Sequence, residues 1–393
     1  MAYQNVKQFM SNCENPAAYD FTLECGYEDY MALPAFERFL IYKSTAVGER
    51  ILSDIKSGEP DERTAEGCYH EAADFGVDNC RKYPDLTDWD SWDGKCGLAV
   101  DLYEQLWGWR EGEQRRYSSL FRTVEPFGAL GGDTLNSVQT TLNCYLEALK
   151  EERESYRQQL LPSPRDPEKP GNASIRFCIQ LYRLFGKDFI KQLAGKKELS
   201  CFIGLTHTAG NLALMPAGYN GYRGGAKQLH DYADLSIYNL LHNCDGKSAK
   251  YFGEDEETRK RNVTRYINFS FLWDYVKKAE DGTYEVLPLC DSHKLKMQTW
   301  TVMNVWDKEN VLPKKEELEE LCMNINSRII SRGRFMMVML EVSMKYPDVY
   351  GSLMQEVFLT ERVYEDYGEV IEVISKKLRT STADAYAVVA VLL

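Results

Sequence analysis

Histidine is scarce in this chain, five in 393 residues (His70, His207, His230, His242 and His293), so a metal centre built from several imidazoles has little to draw on. The eleven cysteines are odd in number and irregularly spaced, with no C-x-x-C pair, which removes the common zinc and dithiol redox motifs and fits reduced thiols. Long hydrophobic runs are missing: no window reaches the roughly 18 to 20 apolar residues of a membrane helix. The apolar tail Ala385 to Leu393 reads instead as a closing element docked on the core. Positive charge is also in deficit. With 47 basic against 60 acidic side chains the formal charge is −13, which repels a phosphate backbone, so non-specific nucleic-acid binding is not expected. Met1 to Cys13 shows no basic region followed by an apolar stretch. A cytoplasmic protein is expected, with the sequons at Asn172, Asn262 and Asn268 as chance matches. No P-loop, dinucleotide-binding fingerprint, G-x-S-x-G elbow or H-E-x-x-H occurs, and the aspartates around Trp89 and Trp92 lack the order of a calcium loop.

Aromatic and apolar residues, by contrast, are plentiful: 25 Tyr, 7 Trp and 44% hydrophobic residues, enough for a sizeable core and far from a disordered composition. The length exceeds that of one usual core. The expected division is a helical extension over 1–84, a core domain over 85–340 and a closing segment over 341–393, with the proline-rich Leu161 to Gly171 as an internal boundary. Apolar spacing predicts helices over Pro34 to Lys56, from Val138 through Arg157, over Ile175 to Leu193, and from Pro313 through Ile329. The Asp281-Gly282 turn followed by Tyr284 to Leu289 is the best strand candidate. Trp89, Trp92, Trp107 and Trp109 crowd around Leu98, Leu102 and Leu106 as core anchors, and the basic stretch Lys247 to Arg265 reads as a solvated helix face. The fold class expected is mainly α with a small β component, a helical globular protein with a central polar cleft.

Two polar segments stand out as carriers of chemistry. Gly131-Gly132-Asp133-Thr134-Leu135-Asn136-Ser137 precedes a predicted helix, and its four polar side chains can cap free N–H groups or share them with an anion. An ordinary N-cap is the plain alternative. The second runs from Thr206 to Gly225 and gathers His207, Asn211, Asn220, Arg223 and five glycines, a mix that lets a ligand approach the backbone, with Arg223 for an anion. His207 and Asp133 are the acid–base candidates. Thr134, Asn136, Ser137, Asn211, Asn220 and Arg223 are the ligand-binding candidates, and no metal ligands are assigned. A hydrogen-bonded structural histidine and an ion-paired arginine are the corresponding plain readings.

The order of Gly132-Asp133-Thr134-Leu135-Asn136-Ser137, His207-Thr208-x-Gly210-Asn211 with Pro216, Asn220, Arg223 and Gly224, Asp231-Tyr232-x-Asp234-Leu235, and Ile267-Asn268-Phe269 with Asp274-Tyr275-Val276 resembles a bacterial family of unknown function. That family shows G-D-T-M-N-S, H-T-I-G-N-F-x-P, D-x-W-D-L-T and F-L-Q-D-Y-V stretches, and the resemblance covers about residues 85 to 335. Ala209, Leu212 and Ala233 depart from its Ile, Phe and Trp but leave the polar positions intact. The resemblance implies a shared fold and pocket and no particular activity. Gly210-Asn211-Leu212-x-Leu214 with Asn220 is also similar to part of the HNH-type nucleases, which hold a divalent metal, although the upstream D-H-I-x-P element is missing. The expectation is therefore a protein or enzyme that binds a phosphate-bearing or nucleotide-like small molecule. An HNH-like nuclease, active or degenerate, and a non-catalytic scaffold whose polar segments form a buried seam are the alternatives.

Overall fold

Leu318, Leu321, Cys322, Ile325 and Ile329 all lie on one buried helix face, and that helix is the axis around which the chain packs. The computed structural model describes residues 3–57, 70–84, 86, 96–108, 130–152, 188, 191–193, 195–216, 219, 232–244, 246, 248–300 and 313–381. Among them the larger helices are α1 (Val6–Asn12), α2 (Ala35–Ser57), α3 (His70–Lys82), α4 (Gly97–Trp107), α5 (Val138–Glu152), α6 (Lys197–Leu205), α7 (Ala233–His242), α8 (Glu256–Phe269), α9 (Asp291–Thr299), the axial α10 (Leu318–Lys345), α11 (Pro347–Leu353) and α12 (Tyr367–Ser381). The strands are β1 (Leu130–Thr134), β2 (Leu212–Pro216), β3 (Val276–Lys278) and β4 (Tyr284–Val286). The fold is mainly α with a small β component. None of the described helices is long and apolar enough to cross a membrane.

The helix expected over Pro34 to Lys56 is α2, and the one from Val138 is α5. Pro313 lies ahead of the helical turns and not within the first: a 3-10 turn over Lys315–Glu317 leads into α10, and the Lys314 N–H donates to Glu317 Oε2 at 2.7 Å. Helix α3 occupies a stretch that reads only as polar and cysteine-bearing in the sequence. Its signal is a pair of glycines, since a Cβ on Gly48 would lie 2.1 Å from the Gly76 carbonyl oxygen. The α2–α3 crossing is thus backbone against backbone and needs little apolar periodicity. The Asp281-Gly282 turn does join a hairpin, with Val276 opposite Val286 and Lys278 opposite Tyr284.

Segments from both ends of the chain share one core. Phe9 and Phe21 near the start, Leu142 and Phe202 in the middle, and Ile374 and Leu378 near the end belong to a single buried cluster. Its densest part is aromatic. Phe271 lies edge-on to Phe335 and Phe358 at 5.2 and 4.9 Å between ring centres, and stacks with Trp107 at 5.6 Å. This packing holds Phe271 at φ +56°, a conformation that non-glycine residues rarely adopt. Of the four clustered tryptophans only Trp107 is described; it is buried and its Nε1 donates to Phe269 O at 2.9 Å. The others, the proline-rich loop, the predicted helix before Leu193 for the most part, and the tail from Ala385 lie outside the described residues.

The basic stretch Lys247 to Arg265 is not simply a solvated face. Arg259 is buried and donates to Leu241 O at 3.3 Å and Glu254 O at 3.3 Å, and Arg265 pairs with Glu361 at 2.5 Å. Asn262 and Asn268, two of the sequon positions, are buried. Asn268 donates to Thr360 O and Arg362 O and accepts from Trp273 Nε1 and Tyr284 Oη.

Candidate functional site: a buried polar seam and an adjoining cavity

The two polar segments of the sequence do meet, but as strands. Leu130 through Thr134 pair antiparallel with Pro216 through Leu212, Asp133 opposite Ala213 and Thr134 opposite Leu212. The expected open cleft between them is therefore a hydrogen-bonded ladder, because two extended segments satisfy their backbone groups best in each other. Asp133 and Thr134 belong to β1. At the start of α5, Ser137 Oγ accepts from Gln139 N at 3.2 Å, an ordinary N-cap contact.

Asn136 and Asn211 turn inward from the end of the ladder and are fully buried. Asn211 Oδ1 accepts from Asn136 N at 3.0 Å, while Asn211 Nδ2 donates to Asn136 O at 3.1 Å and Thr206 O at 2.9 Å. Asn136 Nδ2 donates to Tyr275 Oη at 2.9 Å, and Asn136 Oδ1 accepts from Ala233 N at 3.0 Å. Both amides are thereby spent within the protein. Gly210 serves the same seam: a Cβ there would lie 2.0 Å from Ile329 O on α10. The backbone that approaches this glycine is the axial helix, not a ligand.

His207 is likewise interior. It packs on Tyr42 at 4.5 Å between ring centres, and its Nδ1 is 4.0 Å from Asp20 Oδ1. Asp20 in turn accepts from Thr22 N and Thr22 Oγ1 and is bridged by Arg38 at 3.1 Å. Asp20 thus places a carboxylate beside His207. Asn220 and Arg223 lie outside the described residues.

Two arrangements were not assigned from sequence. The first is Asp234 with His293, paired at 2.8 Å through Oδ2 and Nδ1 and almost wholly buried. Asp234 Oδ2 also accepts from Leu289 N at 2.9 Å, and Tyr232 lies against the imidazole at 4.6 Å. Asp234 Oδ1 and His293 Nε2 have no hydrogen-bond partner among the described residues. A carboxylate that accepts a hydrogen bond from Nδ1–H leaves the Nε2 lone pair facing away from it, the orientation used by catalytic and metal-binding histidines alike. No group of three or more His, Cys, Asp or Glu placed for a metal occurs among the described residues.

The second is a cavity of about 420 Å³ between α10 and α12, lined by Asp274, Ser331 and Arg334 at its polar end and by Phe335, Val338 and Ile371 along its wall. Burial pushes the Asp274 carboxyl up to about 6, with Ser331 and Arg328 pulling the other way and Asp366 adding to the rise. The Arg328 guanidinium lies over the Tyr275 ring at 5.0 Å, so the cavity adjoins the seam through consecutive residues, Asp274 and Tyr275. Asp366 at the mouth caps α12 by accepting from Glu369 N at 3.0 Å. A smaller cavity of about 250 Å³ beside α5 and α6 is lined by Lys196, Lys197 and Lys315 with Glu198 and Glu319, mostly exposed side chains.

No family model, curated protein or solved structure matches this chain. Its own geometry therefore carries the functional reading. The motif residues Gly210, Asn211, Asn136, Asp234 and Tyr275 are parts of one seam, and of the motif positions described only Asp274 also lines the larger cavity.

Proposed function

We propose that the protein binds a small amphipathic molecule in the cavity between α10 and α12, with Asp274 as the group that shares a proton or hydrogen bond with its polar head. The observation that carries this is a half-buried carboxyl, raised to about 6, in a cavity of about 420 Å³ that sets Ser331, Arg334 and Asp366 beside an apolar wall of Phe335, Val338 and Ile371. That size falls in the usual range of small-molecule sites, and a perturbed acid in a cavity is a candidate functional group. Above its titration the carboxylate is charged in a poorly hydrated place, so Asp274 costs stability at neutral pH. Keeping such a residue is easier to understand if a ligand uses it.

The phosphate-bearing ligand suggested by Arg223 has less support at this cavity, where Asp274 and Asp366 oppose Arg334. Charge favours a neutral, cationic or zwitterionic head. A non-catalytic scaffold is the second reading, favoured by the saturated Asn136–Asn211 bonding. An HNH-like nuclease is a third; its motif residues Gly210 and Asn211 lie in the seam beside α10.

The test is a thermal-shift screen of amines, neutral alcohols, amino acids, sugar phosphates and nucleotides at about pH 5 and about pH 8, either side of the Asp274 titration. A hit is expected to bind at least about tenfold more weakly to Asp274→Asn, the loss of one charge-assisted hydrogen bond. Binding that is indifferent to this substitution moves the site elsewhere. No stabilisation by any compound, with the variant folded, leaves the scaffold reading.

A further inference from the structure

Arg332 stands where the apolar stripe of α10 calls for a hydrophobic residue, in line with Ile325, Ile329 and Met336. It is fully buried. Its Nε donates to Ser270 O at 2.8 Å, and its Nη1 is shared among Ala209 O at 3.2 Å, Gly210 O at 2.8 Å and Leu212 O at 2.8 Å. These contacts tie α10 to the turn between α6 and β2 and to the end of α8. They leave one side of the guanidinium unused. Nη2, which carries two N–H donors, has no partner among the described residues, and neither has Ser270 Oγ.

The fixed fork of a guanidinium sets where the unused donors point. The Nε–H and one Nη2–H lie side by side, so with Nε on the Ser270 carbonyl, Nη2 also faces the Ser270 end. The Ser270 side chain, whose buried hydroxyl has no partner among the described residues, belongs to that same end. Two buried groups able to donate, both without a partner among the described residues, call for something that accepts hydrogen bonds.

Charge narrows the choice. The largest electrostatic influences on Arg332 come from the phenols of Tyr367, Tyr103, Tyr275 and Tyr266 and not from a carboxylate, and burial is the main influence lowering its proton affinity. Tyr275 is pushed up to about 12 and Tyr367 well above its ordinary value, in both cases chiefly by burial, so these phenols are neutral. Tyr367 Oη donates to Phe271 O and Tyr266 Oη to Leu214 O. Water would satisfy the donors but leave the positive charge unbalanced; a small anion does both. We infer that Arg332 Nη2 and Ser270 Oγ hold a halide ion inside the core, a structural chloride that neutralises the guanidinium bracing the seam. This site is separate from the cavity at Asp274, and neither reading depends on the other.

The experiment is a titration of the full chain with sodium chloride at constant ionic strength, sodium gluconate making up the balance, read by the thermal unfolding midpoint and by the ³⁵Cl NMR linewidth. With a formal charge of −13, diffuse chloride binding at the surface is weak. The expected result is a midpoint that rises with chloride and levels off, a similar rise with bromide, and a ³⁵Cl line broadened by the folded protein. Ser270→Ala removes only the unpartnered hydroxyl and should fold. It is expected to weaken halide binding by about tenfold, one lost hydrogen bond to a charged group. Arg332→Lys, which keeps the charge and loses the fork, should abolish the broadening if it folds. A midpoint and linewidth indifferent to chloride would overturn the inference, and so would a halide effect that is unsaturable or unchanged in Ser270→Ala.

Discussion

Replacing Asn211 with alanine removes one side chain and strands three buried backbone groups. Asn136 N loses its acceptor, and Asn136 O and Thr206 O lose their donor. A buried polar group left unpaired costs about 1–3 kcal/mol, so the three together would reach about 3–9 kcal/mol in a rigid site. Relaxation and entry of water reduce such sums, and single substitutions above about 4–5 kcal/mol are exceptional, so about 3–5 kcal/mol is expected. Asn211→Asp sharpens the test. It keeps an acceptor for Asn136 N but turns a carboxylate toward two carbonyl oxygens, so it should be at least as damaging as alanine despite its closer shape. Urea unfolding followed by circular dichroism gives both values. A loss below about 1 kcal/mol for alanine, or an aspartate variant milder than alanine, would refute the account of the seam as a saturated, water-free network.

The other substitutions separate close packing from proton chemistry. Gly210→Ala places a Cβ 2.0 Å from Ile329 O, where only backbone can yield; a loss of about 3 kcal/mol in the same unfolding assay is expected, and one near zero would disprove the contact. Asp234→Ala leaves Leu289 N and His293 without their buried partner and should cost about 3–5 kcal/mol. A stable variant with unchanged His293 ¹⁵N shifts would show that the pair is not formed. Asp274 runs in the opposite sense. Its folded pKa, near 6, lies above the unfolded value, so the folded state binds more protons between the two. Its contribution is therefore favourable below about pH 4 and is lost as pH rises through about 6. After discounting for partial exposure, Asp274→Asn is expected to stabilise the protein by roughly 1–2 kcal/mol at pH 8 and to flatten its stability profile between about pH 4 and 6. Destabilisation at pH 8 would sink that reading.

What the sequence determined by itself was the helical scaffold, because α2, α5 and α10 each repeat apolar residues at three- and four-residue spacing, and the turn that leads into β4, because Asp281-Gly282 fixes it. Local pattern could also pick out the Asp133-to-Ser137 and His207-to-Asn211 segments, since clustered asparagines and glycines are visible in any window. Which way those side chains face was decided only by tertiary structure. Pairing β1 with β2 carries Asn136 and Asn211 inward, and the approach of α10 turns Gly210 into a packing contact. Asp234 and His293 are 59 residues apart in the chain, Asp20 and His207 are farther apart still, and the Asp274 cavity exists only because α12 returns along α10. A hydrogen bond or a cavity wall depends on separation in space, and no spacing along the chain encodes that across such distances.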